Sequence, residues 1–147
     1  MKPSTVFKLF SGALLFSSLA ADALEIPVQK VGLWEMRSQH SYDGAAVTQA
    51  RTTQLCLAAA DMESARKMTE EFAKKSCSKN EVRKEGGKWI ENGVCKAGGT
   101  TTSSQTTREY DGENTYHDVI NVTYDPPLNG HSRSHTVRDG KWLGTCK

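Results

Sequence analysis

The sequence predicts a mainly β protein: an antiparallel meander of seven or eight strands that forms a curved sheet or partly open barrel, with one helix. Three observations support this fold class. Dipeptides typical of tight turns recur along the chain, runs rich in β-branched and aromatic residues lie between them, and a single stretch has helical spacing instead. A sandwich-like sheet with the helix over an opening is the alternative architecture.

The turn dipeptides supply the positive φ that two-residue hairpins require. They are Asp43-Gly44, Gly86-Gly87, Gly98-Gly99, Asp111-Gly112, Asn129-Gly130 and Asp139-Gly140. The predicted strands are Val31–Tyr42, Val47–Leu57, Ser78–Glu85, Lys88–Ala97, Thr100–Tyr110, Thr115–Tyr124, His131–Arg138 and Lys141–Cys146. Because each run is short and bounded by turns, consecutive strands are expected to pair antiparallel.

The first 23 residues have the three regions of a secretory signal peptide. Lys2 and Lys8 precede an apolar run from Leu9 to Leu19, and Ala21-Asp22-Ala23 supplies the small residues of a cleavage site. The run has about 11 residues, whereas a membrane span needs roughly 20, so cleavage after Ala23 is favoured over a membrane anchor. Residues 24–147 are then expected to form one periplasmic domain without a membrane span.

The charge of the mature chain argues against a nucleic-acid partner. Without Lys2, Lys8 and Asp22, 17 basic and 16 acidic residues remain of the 19 and 17 in the whole sequence. A domain so nearly neutral lacks the basic surface that nucleic acids or anionic membranes attract.

Four cysteines lie in the mature chain: Cys56, Cys77, Cys95 and Cys146. An even number in an exported chain is typical of two disulfides. If Gly86-Gly87 is a two-residue turn, Cys77 and Cys95 fall on opposite faces of their hairpin, which disfavours a bond between them. Of the two pairings that remain, we predict Cys56–Cys77 with Cys95–Cys146, because the second bond ties the chain end to a strand.

The one helical segment extends from Asp61 to about Ala73. Its apolar residues form a single stripe, with Asp61 as a plausible N-cap and two lysines near the end that suit the helix dipole. The stripe consists of Met62, Ala65, Met68, Phe72 and Ala73. We expect this stripe to pack on the sheet rather than to form a partner groove.

The threonine-rich run Thr100–Tyr110 is predicted to be a strand and not a linker, because hairpin turns bracket it and it contains no proline. Both of its faces are polar. Such a strand suits a solvated edge of the sheet or a position that faces an open, water-filled concavity.

The candidate functional residues are few. Trp34, Met36, Trp89 and Ile120 are the residues expected to line any apolar ligand cavity, although the pattern of the tryptophans favours a role in the core. His131 and His135 have the spacing of a helical zinc motif, but on a strand their Cα atoms lie roughly 13 Å apart. We therefore predict no metal site and no cofactor.

A second hypothesis is a metal-free hydrolase that uses His117 or His135 with a nearby acid. It requires a histidine within hydrogen-bond reach of both a hydroxyl and a carboxylate in one cleft. No GxSxG nucleophile motif occurs in the chain.

Several motifs together resemble the proteobacterial exported domain-of-unknown-function family 3617. They are Val31-Gly32-Leu33-Trp34-Glu35, Gln54-Leu55-Cys56-Leu57 before the helix, two mid-chain cysteines, and the terminal Trp142-Leu143-Gly144-Thr145-Cys146. The resemblance covers essentially the whole mature chain and implies a periplasmic, mainly β protein without assigned catalytic residues. From the curved-sheet interpretation and the absence of a catalytic motif, we predict non-enzymatic binding of an unknown small ligand or envelope protein.

Overall fold

The computed structural model describes residues 27–147. Within these residues the chain forms seven strands and one helix: β1 (Gly32–Tyr42), β2 (Arg51–Leu57), α1 (Ala59–Ser76), β3 (Cys77–Glu85), β4 (Lys88–Ala97), β5 (Thr100–Asp111), β6 (Thr115–Leu128) and β7 (His131–Gly144). The predicted signal peptide and its cleavage site, residues 1–23, lie outside the described residues.

The seven strands form one open antiparallel sheet in the order β2-β1-β7-β6-β5-β4-β3. Strands β3 to β7 follow one another as a meander, and the β1–β2 hairpin extends the sheet beyond β7. The predicted mainly β fold with one helix is confirmed. Strands β2 and β3, although consecutive, occupy opposite edges of the sheet.

Strand β7 unites two segments that were predicted to be separate strands. The dipeptide Asp139-Gly140, predicted as a turn, lies inside β7 and pairs with strands on both sides. A Cβ atom at Gly140 would overlap the ring of Tyr116, its partner on β6. Glycine is required here by the close approach of an aromatic ring and not by a turn.

Helix α1 requires the sheet to be strongly curved. The helix follows β2 after a single residue and continues directly into β3, so its 18 residues connect the two edges. A helix of this length spans about 27 Å, whereas six interstrand spacings in a flat sheet already cover about 29 Å. The register also places Leu57 and Cys77 at opposite ends of the strands, which in a flat sheet would add roughly 30 Å in the strand direction. The edges of the sheet therefore curl toward each other beneath the helix.

The helix does not pack on the sheet as predicted. It begins at Ala59 rather than near Asp61, and none of its residues is buried. Met68 and Phe72 of the apolar stripe are 70% and 47% exposed. The helix runs straight from one edge of the curved sheet to the other. An open space therefore separates part of the helix from the strands.

The buried core is small and lies on the side of the sheet that α1 covers, which we call the helix-facing side. Trp34 and Tyr116 are buried, and Asp118 is fully buried beside them. The two aromatic rings are 5.6 Å apart. The best-packed part of the protein thus includes a carboxylate, which requires a cationic partner.

The threonine-rich strand is β5, which lies inside the sheet between β4 and β6. Its interpretation as a solvated edge is therefore wrong. Ser103, Ser104 and Gln105 line an open polar groove of about 640 Å³, and Arg108 lines a second cleft beneath α1. These four polar residues of β5 therefore face open concavities.

The disulfides join Cys56 to Cys146 and Cys77 to Cys95. The predicted pairing of Cys56 with Cys77 and of Cys95 with Cys146 is wrong. Cys146 lies just after β7, and strand β1 lies between β2 and β7, so the Cys56–Cys146 bond joins β2 to the segment that follows a non-neighbouring strand. The chain end is tied to the sheet as expected, but at the edge strand β2.

A β-bulge explains why the Cys77–Cys95 bond is possible. The two-residue turn between β3 and β4 sets the expected register as far as the pair formed by Lys79 and Val94. At Ser78 the register shifts by one residue, so Cys77 lies directly opposite Cys95. The extra residue of a bulge reverses the face of the side chains that precede it.

Candidate functional site

The register of the sheet places Trp34, Met36, Trp89 and Ile120 on the same helix-facing side. Directly paired residues share a face, and faces alternate along each strand. Trp34 and Trp89 line one cleft on this side. Met36 and Ile120 lie on the same side of the sheet but outside that cleft and outside the cleft beneath α1.

A short segment before β1, residues 27–31, crosses the helix-facing side, and we call it the N-terminal strap. Three aromatic side chains hold it through its backbone carbonyl oxygens. The indole N–H groups of Trp34 and Trp142 donate at 2.7 and 3.1 Å, and the hydroxyl of Tyr110 donates at 3.0 Å. The indole N–H of Trp34 is therefore already used by the protein.

A cleft of about 950 Å³ lies between α1, β2 and the strap. We call it the α1 cleft. Its volume falls within the roughly 300–1,000 Å³ of small-molecule sites. Its apolar lining residues include Val28, Leu55, Leu57, Met62 and Ala65. This cleft is the space that remains because the apolar stripe of α1 stands away from the strands.

A second cleft, of about 580 Å³, lies on the other side of the strap, and we call it the tryptophan cleft. Trp34, Trp89 and Tyr110 contribute its aromatic walls, while Lys30 and Lys84 contribute positive charge. The Lys84 ammonium lies 5.0 Å from the centre of the Trp89 ring, within the range of cation–π contacts. The strap residues 27–29 line both clefts.

Arg108, at the floor of the α1 cleft, belongs to an ion-pair cluster that we call the triad: Arg108, Asp118 and Arg138. Adjacent strands β5, β6 and β7 place these residues directly opposite one another. Arg108 donates from Nε and Nη2 to the two oxygens of Asp118, at 2.5 and 2.6 Å. The Nε of Arg138 lies 3.4 Å from Asp118 Oδ2 and is a buried donor without a hydrogen-bond partner in residues 27–147.

The guanidinium of Arg108 is held charged by its surroundings. Burial alone would lower the pKa of Arg108, but the hydrogen bonds and negative charge of Asp118 outweigh it and raise that pKa. The guanidinium carbon also lies 4.9 Å from the centre of the Tyr116 ring. Both contacts fix the orientation of the cation at the cleft.

The helix side of the cleft carries its own compensated charges. Arg66 donates to both oxygens of Glu63 at 2.8 and 2.9 Å and also contacts Glu70. The hydrogen bonds from Arg66, aided by Lys67, lower the pKa of Glu63 to about 2. This wall therefore presents the Glu63–Arg66 ion pair together with the carboxylate of Asp61.

The opposite face of the sheet bears a histidine and an acid that belong to the hydrolase hypothesis. His117 Nδ1 lies 2.7 Å from Asp139 Oδ1 in an open groove of about 570 Å³. Thr115 lines the same groove, but its hydroxyl donates to the carbonyl of Asp111 at 2.8 Å. Among the described residues no hydroxyl is hydrogen-bonded to His117, so the groove holds a base and an acid without a nucleophile.

The other histidines named in the sequence make separate contacts. His131 is hydrogen-bonded to Asp43 at 2.9 Å, and His135 to Asn121 at 2.7 Å. The bond with His131 lowers the pKa of Asp43; burial acts against it, and two backbone N–H groups of β7 act with it. Within residues 27–147, no group of three or more His, Cys, Asp or Glu side chains is arranged to hold a metal ion.

Comparison with known proteins shows the family of the chain. A family model described as "Protein of unknown function (DUF3617)" matches residues 29–146. The chain belongs to the DUF3617 family. No curated protein and no solved structure matches it.

Three of the motifs that resemble DUF3617, those around Trp34, Cys56 and Trp142, converge at one end of the sheet, whereas Cys77 and Cys95 lie at the other end. Trp34 of the first motif pairs with Trp142 of the last. Gly32 has a φ of +139°, and a Cβ atom there would overlap the Trp142 indole and the Gly144 carbonyl. The glycine of this DUF3617 motif thus permits the two ends of the described chain to pack together, and the disulfide to Cys146 closes the same region.

The triad is the part of this DUF3617 site that sequence reasoning missed. Arg108 stands in a run of threonines, and no motif singles out Asp118. A two-residue turn at Asp111-Gly112 would pair Arg108 with Thr115, whereas the observed loop of residues 112–114 pairs it with Asp118. Arg138 was hidden by the incorrect turn at Asp139-Gly140.

The two disulfides of this DUF3617 protein indicate a non-reducing, extracytoplasmic compartment. No helix within residues 27–147 has both the length and the apolar character needed to cross a membrane.

Proposed function

We propose that this DUF3617 protein is a periplasmic, non-enzymatic binding protein whose small-molecule ligand occupies the α1 cleft. The observation that carries the proposal is the open space of about 950 Å³ between α1 and the sheet. A filled core would have favoured a purely structural role or binding of an envelope protein. An open apolar cleft favours a small ligand.

Exposed apolar side chains around the cleft provide the driving force for binding. Leu55 is 46% exposed and Val28 is 76% exposed, although both line the cleft. Each square ångström of apolar surface removed from water contributes about 25 cal/mol. A ligand with an extended apolar part therefore gains more from this cleft than a fully polar one.

A substitution that fills the cleft tests the proposal. Ala65 lines the cleft, so Ala65→Trp is expected to weaken binding of the neutral fluorescent probe N-phenylnaphthylamine by at least about tenfold, by occupying its space. The matched control is Ala60→Trp, which places the same side chain on the same helix outside the cleft lining. Fluorescence titration of the folded, oxidised protein measures both. Equal affinity of the two variants would contradict a ligand site in the cleft.

Export to the periplasm is supported by the signal-peptide pattern and by the disulfides. N-terminal sequencing of the protein recovered from the periplasm is expected to begin at Leu24, because Ala21-Asp22-Ala23 provides the cleavage site. A membrane-bound chain that still begins at Met1 would show that the segment is an anchor.

A further inference from the structure

The triad leaves one positive charge uncompensated at the floor of the α1 cleft. Two guanidinium groups, of Arg108 and Arg138, share the single carboxylate of Asp118, which is fully buried. A buried charge is costly unless an opposite charge accompanies it. The side chains of Arg108 and Arg138 are 21% and 34% exposed, so water or a bound anion can compensate the excess.

Arg108 is the member of the triad that reaches the cleft. Its side chain is 21% exposed, and it lines the α1 cleft. Two of its nitrogens are bound to Asp118, whereas Nη1 has only a 3.5 Å contact with the Tyr110 hydroxyl. Hydrogens on Nη1 are therefore available to a ligand oxygen.

The other charged residues that line the cleft are Asp61, Glu63 and Arg66 of α1, so the lining as a whole is neutral and the positive excess is confined to the triad. Glu63 is paired with Arg66 on the helix wall, and Asp61 lies in the first turn of α1, where the helix dipole stabilises it. The adjoining tryptophan cleft has two lysines, Lys30 and Lys84, against one carboxylate, Glu113.

We propose that the ligand of the α1 cleft is a long-chain carboxylate, with its alkyl chain along α1 and its carboxylate on Arg108. The assignment rests on the proposed function and specifies its ligand class. The residues of α1 that line the cleft extend from Ala59 to Thr69, about 15 Å along the helix axis. This length and the apolar walls suit a single alkyl chain, and the excess charge of the triad suits one anionic head group.

Competition between two ligands with the same chain tests the assignment. Dodecanoate and dodecanol are each used to displace N-phenylnaphthylamine from the folded, oxidised protein. Dodecanoate is expected to bind about tenfold tighter, because only its head group forms a charge-assisted hydrogen bond with Arg108. Equal affinities would overturn the carboxylate assignment and leave a neutral apolar ligand as the proposed function.

The variant Arg138→Gln isolates the excess charge of the triad. It leaves the Arg108–Asp118 pair intact and lies outside the lining of the α1 cleft. The preference for dodecanoate is expected to fall to about threefold or less, while dodecanol affinity stays unchanged. An unchanged preference would overturn the role of the triad. Suppose that Ala65→Trp weakens probe binding but neither dodecanoate nor dodecanol displaces the probe from the unmodified protein. That result would overturn the carboxylate assignment alone. Equal binding of the probe to Ala65→Trp and Ala60→Trp would instead overturn the proposed function.

Discussion

Replacing Cys56 and Cys146 together with serine is expected to lower the free energy of unfolding by about 4–5 kcal/mol. The bond closes a loop with a sequence separation of 90 residues, and its loss restores a large conformational entropy to the unfolded chain. Small domains have a total stability of about 5–15 kcal/mol. The loss is therefore expected to remove a large share of the stability, as measured by urea unfolding.

The second disulfide provides the matched comparison. Cys77 and Cys95 are separated by only 18 residues, so their replacement with serine is expected to cost about 3 kcal/mol. If that pair proves the more costly of the two, loop closure is not the main contribution of these bonds.

The substitution Asp118→Asn is expected to destabilise the protein by about 3–5 kcal/mol, since it leaves two guanidinium groups without their carboxylate at the edge of the core. Asp118 is fully buried and accepts two hydrogen bonds from Arg108. The side-chain oxygen of asparagine can accept one of these hydrogen bonds, but its NH2 group is a donor and would face an N–H donor of Arg108. Urea unfolding of the variant measures the effect.

Asp139→Asn is the control for this prediction. Asp139 lies on the same sheet and is paired with His117, but its side chain is 51% exposed. Exposed ion pairs contribute less than about 1 kcal/mol. A similar loss of stability in both variants would show that burial of the Asp118 carboxylate does not increase its contribution to the free energy of unfolding.

Local features of the fold were predictable because they depend on neighbouring residues. Five of the six predicted turn dipeptides form turns, and each contains a residue with positive φ, such as Gly87 at +83° and Asn129 at +51°. Strand periodicity between these turns then sets most of the sheet register. The conformational preferences of glycine and asparagine are intrinsic to the residue, so they can be read without knowledge of the rest of the chain.

The sixth dipeptide shows where this reasoning stops. Gly140 has the sequence context of a turn, but in the fold it accommodates the ring of Tyr116 from the neighbouring strand. Close approach between strands depends on tertiary packing, and the residue that requires the glycine is 24 positions away in the sequence. The bulge at Ser78 is a similar case, since a single inserted residue decided the disulfide pairing.

By itself the sequence determined the mainly β class, the number and approximate limits of the strands, the presence of one helix and the extracytoplasmic chemistry of the cysteines. Only the tertiary structure decided that α1 bridges two edge strands and stands away from the sheet, which creates the α1 cleft. It also decided that Arg108 and Arg138 share Asp118. Turn and strand preferences act over a few residues, whereas sheet curvature and the sharing of one carboxylate by two cations depend on contacts between distant segments, which local pattern does not specify.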